Sequence, residues 1–434
     1  MFGAFTSFGK LGSLARAIAA AWTPSALWPT GTEPGMWIDP SNLTSQWQDS
    51  AGTTQVSTPG TVADSSNPVG LALDLRLGAT TLTDPGNHLF QATSTARPME
   101  SARVNLLTYT ESPTNWGITQ ATGGTCLVTA NYTTAPDGTL TACRVQGSVT
   151  VDFGSTATVD IPTSAGWPGL LSKSVWIRSN TGLQQKISLY YLSAPITVDA
   201  NGWRRYEVAQ PPWYQGKLSV GVQKSPYGAF LDTDPTCDIS IWHPQLQMGS
   251  VATPYQPILT DGSSYSSTGI TPWQVYDGTD DGMATATFTA GTLSNAMDCM
   301  IAVRRDSPGN AVCGLYESVA EANKVFGIAE SGSGSGCVGS GAGTPTVWVD
   351  GVQLTGGTAV TRGTLHTALT VGDYHVLEFR GLDLSTWTAS GFGLYTSYVL
   401  NGAQGGILLF PSSTSTANRD AARTWLGAKV GLTL

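Results

Sequence analysis

Charge is scarce in this chain. Only 12% of its 434 residues are Asp, Glu, Lys or Arg, about half the share of an average globular protein. Long charged helices and coiled coils are therefore excluded as the main architecture. The formal net charge of −9 argues against nucleic-acid binding, which usually needs a basic face. Long hydrophobic runs are missing as well, and no stretch reaches the roughly 18 to 20 apolar residues of a membrane-spanning helix. Histidine and cysteine are few and scattered. His88, His243, His366 and His375 form no metal-binding pattern. Cys126, Cys143, Cys237, Cys299, Cys313 and Cys337 contain no C-x-x-C pair, so a structural zinc site is not indicated. The expectation for the cysteines is buried free thiols, which behave as small hydrophobes; a Cys126–Cys143 pair across neighbouring strands is the alternative.

What is present is a core-forming composition, 41% hydrophobic, punctuated by 51 Gly and 24 Pro. Beyond residue 36, short β-branched and aromatic runs alternate with Gly, Pro, Asn and Asp. Examples are Lys173–Ile177, Lys186–Leu192, Arg204–Val208, Lys217–Val222, Cys237–Trp242, Ala284–Thr289, Cys299–Val303, Val325–Ala329, His375–Phe379 and Gly405–Phe410. Such runs predict an all-β chain of sandwiches rather than βαβ units. Asp350-Gly351, between Thr346–Val349 and Val352–Leu354, is a type I′ hairpin pair. Ser415–Lys429 carries Ala417, Ala421, Ala422, Trp425 and Leu426 on one face and predicts a helix, with Thr416 as its cap.

The first residues differ from the rest. Phe5, Phe8, Leu11, Leu14, Ile18 and Trp22 recur every three or four positions, the period of one helix face. Three readings compete for this arm: a secretory signal, interrupted by Lys10 and Arg16; a helix packed on its own domain; and an anchoring helix buried in another subunit or assembly. The third is favoured, because a short stripe at a terminus is hard to bury on its own chain. Composition divides the chain into the arm (1–24), an extended connector (25–100), a strand-rich block (101–258), a Ser/Thr/Gly linker (259–275) and a second block (276–434).

Chemistry-bearing patterns are sparse. No paired carboxylate motif of a glycan-cleaving enzyme is evident, nor a Ser or Cys nucleophile elbow. Gly334-x-Gly336-x-x-Gly339 lies in a Gly/Ser run before a hairpin strand, the wrong context for a dinucleotide fingerprint. Asp277, Asp280 and Asp281 form the densest acidic group; they suit Ca²⁺ or simply a polar turn, and no other cofactor is implied. Aromatics are more informative. Trp213, Tyr214, Tyr227, Trp387, Tyr395 and Tyr398 lie in or beside Gly/Pro/Ser stretches, where a ring can stack on a sugar face or instead serve core and interface packing. Trp176, Trp242 and Trp348 sit inside strands and are expected in the core.

Several segments resemble bacteriophage virion proteins. They are Trp37-Ile-Asp-Pro-Ser-Asn-Leu43, Gln48-Asp-Ser-Ala-Gly-Thr-Thr54, Pro68-Val-Gly-Leu-Ala-Leu-Asp74, Gly86-Asn-His88 and Ala96-Arg-Pro-Met99. The block opening Arg103-Val-Asn-Leu-Leu and closing Pro244-Gln-Leu-Gln-Met-Gly-Ser250 and Ala252-Thr-Pro-Tyr255 resembles the carbohydrate-binding-module-like jelly rolls of phage tail fibres. The last block, with Tyr276-Asp-Gly-Thr-Asp-Asp281 and the closing helix, resembles a concanavalin-like (laminin-G-like) sandwich. The resemblance implies a non-enzymatic virion protein, on the phage tail or capsid surface. Its arm would join other virion proteins, its homo-oligomer would be a trimer by analogy, and its lectin-like domains would face a host surface polysaccharide. The alternative is a purely structural capsid decoration, head fibre or collar protein; a polysaccharide depolymerase is a third reading. Production in a reducing cytoplasm would keep all six thiols free.

Overall fold

A computed structural model describes residues 22–56, 67–101, 105–150, 154–163, 171–189, 195–210, 217–224, 232–248, 252, 255–259, 272–318, 323–354 and 360–434. The protein is all-β, built as two sandwiches of antiparallel strands with two short α-helices among the described residues.

The jelly-roll sandwich has a five-stranded sheet in the order Arg204–Gln210, Leu171–Ser179, Thr236–Met248, Ala142–Ser148, Thr125–Thr133. Facing it is a three-stranded sheet, Lys217–Gln223, Thr156–Pro162, Gly117–Ala121. Strand alternation sends one set of residues inward. Val145, Val159, Ile161, Val175, Ile177, Leu218, Val220, Ile239 and Ile241 meet in a single apolar core.

In the second sandwich the larger sheet runs Val352–Gln353, Gly343–Val349, Tyr374–Leu382, Met297–Arg305, Asn401–Pro411, Trp273–Asp277, Met99–Ser101, with Met36–Ile38 also paired to Asn401–Pro411. The second sheet is Gln46–Trp47, Leu71–Ala72, Leu89–Phe90, Met283–Thr285, Gly391–Phe392. The stretch read as a connector is thus part of this sandwich. Met36 pairs with Leu409, Gln274 with Glu100, and Ala284 with Phe90. Met36, Ile38, Val56, Val69 and Leu89 share one core with Ile301, Phe379 and Ile407. Its strands are two or three residues long, too brief to register as strands without the distant partners that satisfy their amides. The jelly roll is consequently an insertion between two parts of the other sandwich, and the strand at Trp273 begins inside the segment read as linker.

The hairpin forms as expected, with Asp350 and Gly351 at φ of 52° and 78° and Val349 opposite Val352. The C-terminal helix spans Thr416–Lys429, and its cap is Ser415, whose hydroxyl accepts from the Asn418 amide at 3.2 Å, instead of Thr416. Ala422 and Leu426 lie on Met300, Val376, Leu408 and Phe410, the outer face of the large sheet. A further helix, with no expectation from the sequence, spans Arg362–Ala368 and is capped by Thr361. All six cysteines are buried free thiols.

Candidate functional site

The outward face of the five-stranded jelly-roll sheet collects the side chains that alternate with the core. Val175 and Ile177 point inward, so Trp176 and Arg178 point out; Ile239 and Ile241 point inward, so Ser240 and Trp242 point out. Trp176 and Trp242 are register partners, with ring centroids 6.4 Å apart at 60°. Both are half-buried, and the Trp242 indole N–H donates to the Thr141 hydroxyl at 3.0 Å. Behind Trp242, His243 adopts φ of 50° at a bulge in the strand. Its ring is nearly parallel to both Trp242 (18°) and Tyr255 (16°). Burial holds this imidazole down at about 4, hence neutral at physiological pH.

The next row across the sheet is Arg178, Ser240, Arg144 and Thr129. Arg144 grips Asp238 with two nitrogens, Nε lying 2.8 Å from Oδ1, and these bonds hold the carboxyl below its usual range. Asn180 donates to the same Asp238 oxygen at 2.9 Å and accepts from Ser240 at 2.8 Å. Arg144 also lies 4.6 Å from the Tyr132 ring centre. Arg178 meets no carboxylate among the described residues; it donates to Thr133 at 2.9 Å and lies 5.4 Å from the Trp203 ring centre. Beyond Asp238 the face opens into a cleft of about 720 Å³ lined by Leu127, Gln146, Leu183, Gln185 and Asp234. Leu127 and Leu183 are 57% and 69% exposed there. From Asp238 to Trp242 the strand advances about 13 Å at 3.3 Å per residue. The result is an elongated surface with aromatic platforms at one end and fixed donors and acceptors along its middle.

The aromatics singled out from sequence fare otherwise. Trp213, Tyr214 and Tyr227 lie outside the described residues. Trp387 is fully buried, packs against Phe326 and donates to the Gly341 carbonyl at 2.9 Å. Tyr395 is buried against Tyr316. Tyr398 is half-buried and its hydroxyl is held between Arg362 (2.6 Å) and Glu330 (3.0 Å). Neither Trp387 nor Tyr395 presents a face to a ligand: a Gly/Ser-rich neighbourhood marks a turn but not which way its aromatic points. Trp176 and Trp242, expected inside, are outside. Trp348 is half-buried as well, with the Arg380 guanidinium 3.9 Å from its ring centre. The signal that would have corrected them is parity. In Val175-Trp-Ile177 and Val347-Trp-Val349 the β-branched neighbours occupy the core positions, so each tryptophan faces the other way.

Asp277, Asp280 and Asp281 bring carboxylate oxygens within 4.8 Å of one another. Asp281 accepts from the Asp277 amide at 2.8 Å and Asp277 from the Thr279 amide at 2.7 Å. Burial raises Asp281 to about 7. These are hydrogen bonds of a polar turn. Of the arm, Phe5, Phe8, Leu11, Leu14 and Ile18 lie outside the described residues. Trp22 rests on its own chain, its indole N–H 3.3 Å from the Asn418 side-chain oxygen.

No protein-family model matches the chain, and no curated protein matches it. Among solved structures, similarity is found to the enzymatically active domain of bacteriophage CBA120 tailspike protein 4, at 15% identity and TM-score 0.22, covering 33% of this chain and 21% of that one. The chain therefore matches about a fifth of that tailspike domain. A xylan-binding domain from Paenibacillus barcinonensis is similar at 13% identity and TM-score 0.24, over 35% of this chain and 97% of that one. A family 11 carbohydrate-binding module from a Clostridium thermocellum cellulase follows at 14% and 0.24, over 36% and 98%. With TM-scores this low, none of them bears on the chemistry of this chain.

Proposed function

We propose that this chain is a non-enzymatic phage virion protein, of tail-fibre or appendage type, that holds a host surface polysaccharide on the outer face of its jelly roll. The observation that carries the glycan reading is the Trp176–Trp242 register pair, facing outward beside the Arg144–Asp238–Asn180 array. A pyranose has apolar C–H faces and a rim of hydroxyls. Indole faces take the first, and charged groups held in hydrogen bonds take the second with little loss of side-chain entropy. Arg178, which meets no carboxylate among the described residues, favours an acidic sugar. The virion placement rests on the sequence resemblance, with the arm joining the particle and homo-oligomerisation multiplying weak sites. Linking such sites raises effective affinity by roughly 10² to 10⁴.

The experiment is a pull-down of the assembled protein on host cells and on their purified surface polysaccharide, with reducing ends assayed in parallel. Binding without sugar release is expected, and loss of binding in the W176A/W242A double variant locates it. Release of reducing ends would mean a depolymerase. No binding by the multimer, with normal adsorption of particles lacking the jelly roll, would mean a passive structural protein.

A further inference from the structure

A second cleft, of about 820 Å³, lies on the other sandwich where the C-terminal helix meets the segment that includes residues 37–55. Three tryptophans far apart in sequence converge on it: Trp37, Trp47 and Trp425, each half-buried rather than in the core. Trp37 and Trp425 stand edge to face, 6.1 Å apart at 80°. Trp47 backs onto the small cluster of Leu71, Leu73 and Ala79. The Trp37 indole N–H is buried with no hydrogen-bond partner among the described residues, a donor that normally finds an acceptor. Asn42 and Gln55 form the polar edge: Asn42 accepts from Thr44 through its oxygen, and Gln55 donates to the Thr44 carbonyl at 3.0 Å. Among the described residues, the charged ones lining it are Asp39 and Lys429, which neutralise each other with nitrogen–oxygen distances of 3.1 and 3.0 Å. Lys429 is also 4.5 Å from the Trp425 ring centre, so its charge is spent twice over.

We infer that this cleft is a second saccharide site, selective for an uncharged sugar, so that the chain carries two unlike glycan sites on its two sandwiches. Aromatic faces with an amide edge suit a neutral pyranose. Among the described residues an acidic sugar finds no unspent positive charge here, in contrast to Arg178 on the jelly roll. The inference extends the glycan reading of the chain but depends on different residues. A neutral site beside an acidic-sugar site would let one chain grip two kinds of residue in a mixed host polysaccharide.

The test titrates the full chain and its variants with neutral gluco-, galacto- and manno-oligosaccharides, following tryptophan fluorescence, and with an acidic bacterial polysaccharide in parallel. A neutral oligosaccharide should quench fluorescence in wild type and equally in W176A/W242A. It should bind at least about tenfold more weakly, a loss of about 1.4 kcal/mol, in both W47A and N42A/Q55A. The second of these leaves every aromatic in place, and an unchanged circular-dichroism melting curve for each variant separates lost binding from unfolding. Neutral-sugar binding that survives both cleft variants, or vanishes in W176A/W242A, overturns the second site. Binding of the acidic polysaccharide alone also overturns it while leaving the jelly-roll reading intact; binding of neither removes both.

Discussion

Asn105 and Gln256 hold the two ends of the jelly roll together. The Asn105 backbone N–H donates to the Gln256 side-chain oxygen at 3.1 Å, and the Asn105 side-chain amide donates to the Gln256 carbonyl at 2.9 Å. The same side chain also donates to the Pro244 carbonyl and accepts from the backbone amides of Leu107 and Leu246. Gln256 in turn donates its backbone amide to Gln245. All three side chains are buried. This knot gives physical content to the Asn-Leu-Leu and Pro-Gln-Leu-Gln segments, because an inserted domain has to bring its first and last residues to one place.

The variant N105A should therefore destabilise the jelly roll by about 2 to 4 kcal/mol, since several buried amides and carbonyls lose their partners at once. Urea denaturation should show the midpoint falling with an unchanged slope. A midpoint equal to wild type would mean that water or relaxation replaces the knot.

His243 makes stability depend on acid. Its folded value of about 4 lies below the ordinary 6.5. Between those values the unfolded chain binds a proton that the folded stack refuses. Its contribution is complete above pH 6.5 and falls away as pH drops towards 4. The replacement H243N tolerates the left-handed backbone at φ of 50°. The stability difference between wild type and H243N should shift against wild type from pH 7 to pH 4.5. A difference that stays constant would place the ring's titration near 6.5 in both states.

Local signals in the chain were sufficient for elements that stabilise themselves. The Asp350-Gly351 turn needs positive φ at both positions, and few residue pairs supply it. The C-terminal helix shows its apolar stripe over four turns. What escaped were properties set by distant partners. Leu71–Ala72 is a strand because it pairs with Gln46–Trp47 and Leu89–Phe90, and Leu89–Phe90 because it also pairs with Met283–Thr285. The candidate site escaped for another reason: lying inside a strand does not say which face a tryptophan takes, and the alternation of Val175, Ile177, Ile239 and Ile241 turns Trp176 and Trp242 outward. Trp387 departs from its expected exposure in the opposite sense, because Leu384–Trp387 closes a turn that sends the indole to Gly341.

The thiols offer a chemical check on the packing. Burial pushes Cys126 and Cys143 up to about 11 and Cys237, Cys313 and Cys337 up to about 12, so little thiolate forms near neutrality. Native protein treated with iodoacetamide at pH 8 should remain unmodified at all six cysteines, and denatured, unreduced protein should take up six labels by mass spectrometry. Fewer than six in the denatured sample would reveal a disulfide.

Two tryptophan substitutions should separate core from site. Trp387 is fully buried and hydrogen-bonded, so W387A should cost about 3 to 5 kcal/mol and lower the melting temperature of its sandwich. Trp242 lies on the outward face, half-exposed, and W242A should cost far less stability because no sealed cavity is created. The effect on glycan should be reversed. W242A, alone or with W176A, should weaken retention on host polysaccharide in a multimeric pull-down, whereas W387A protein that remains folded at low temperature should bind like wild type. If W387A loses binding while still folded and W242A keeps it, the reading surface lies on the other sandwich and the jelly-roll face is only a scaffold.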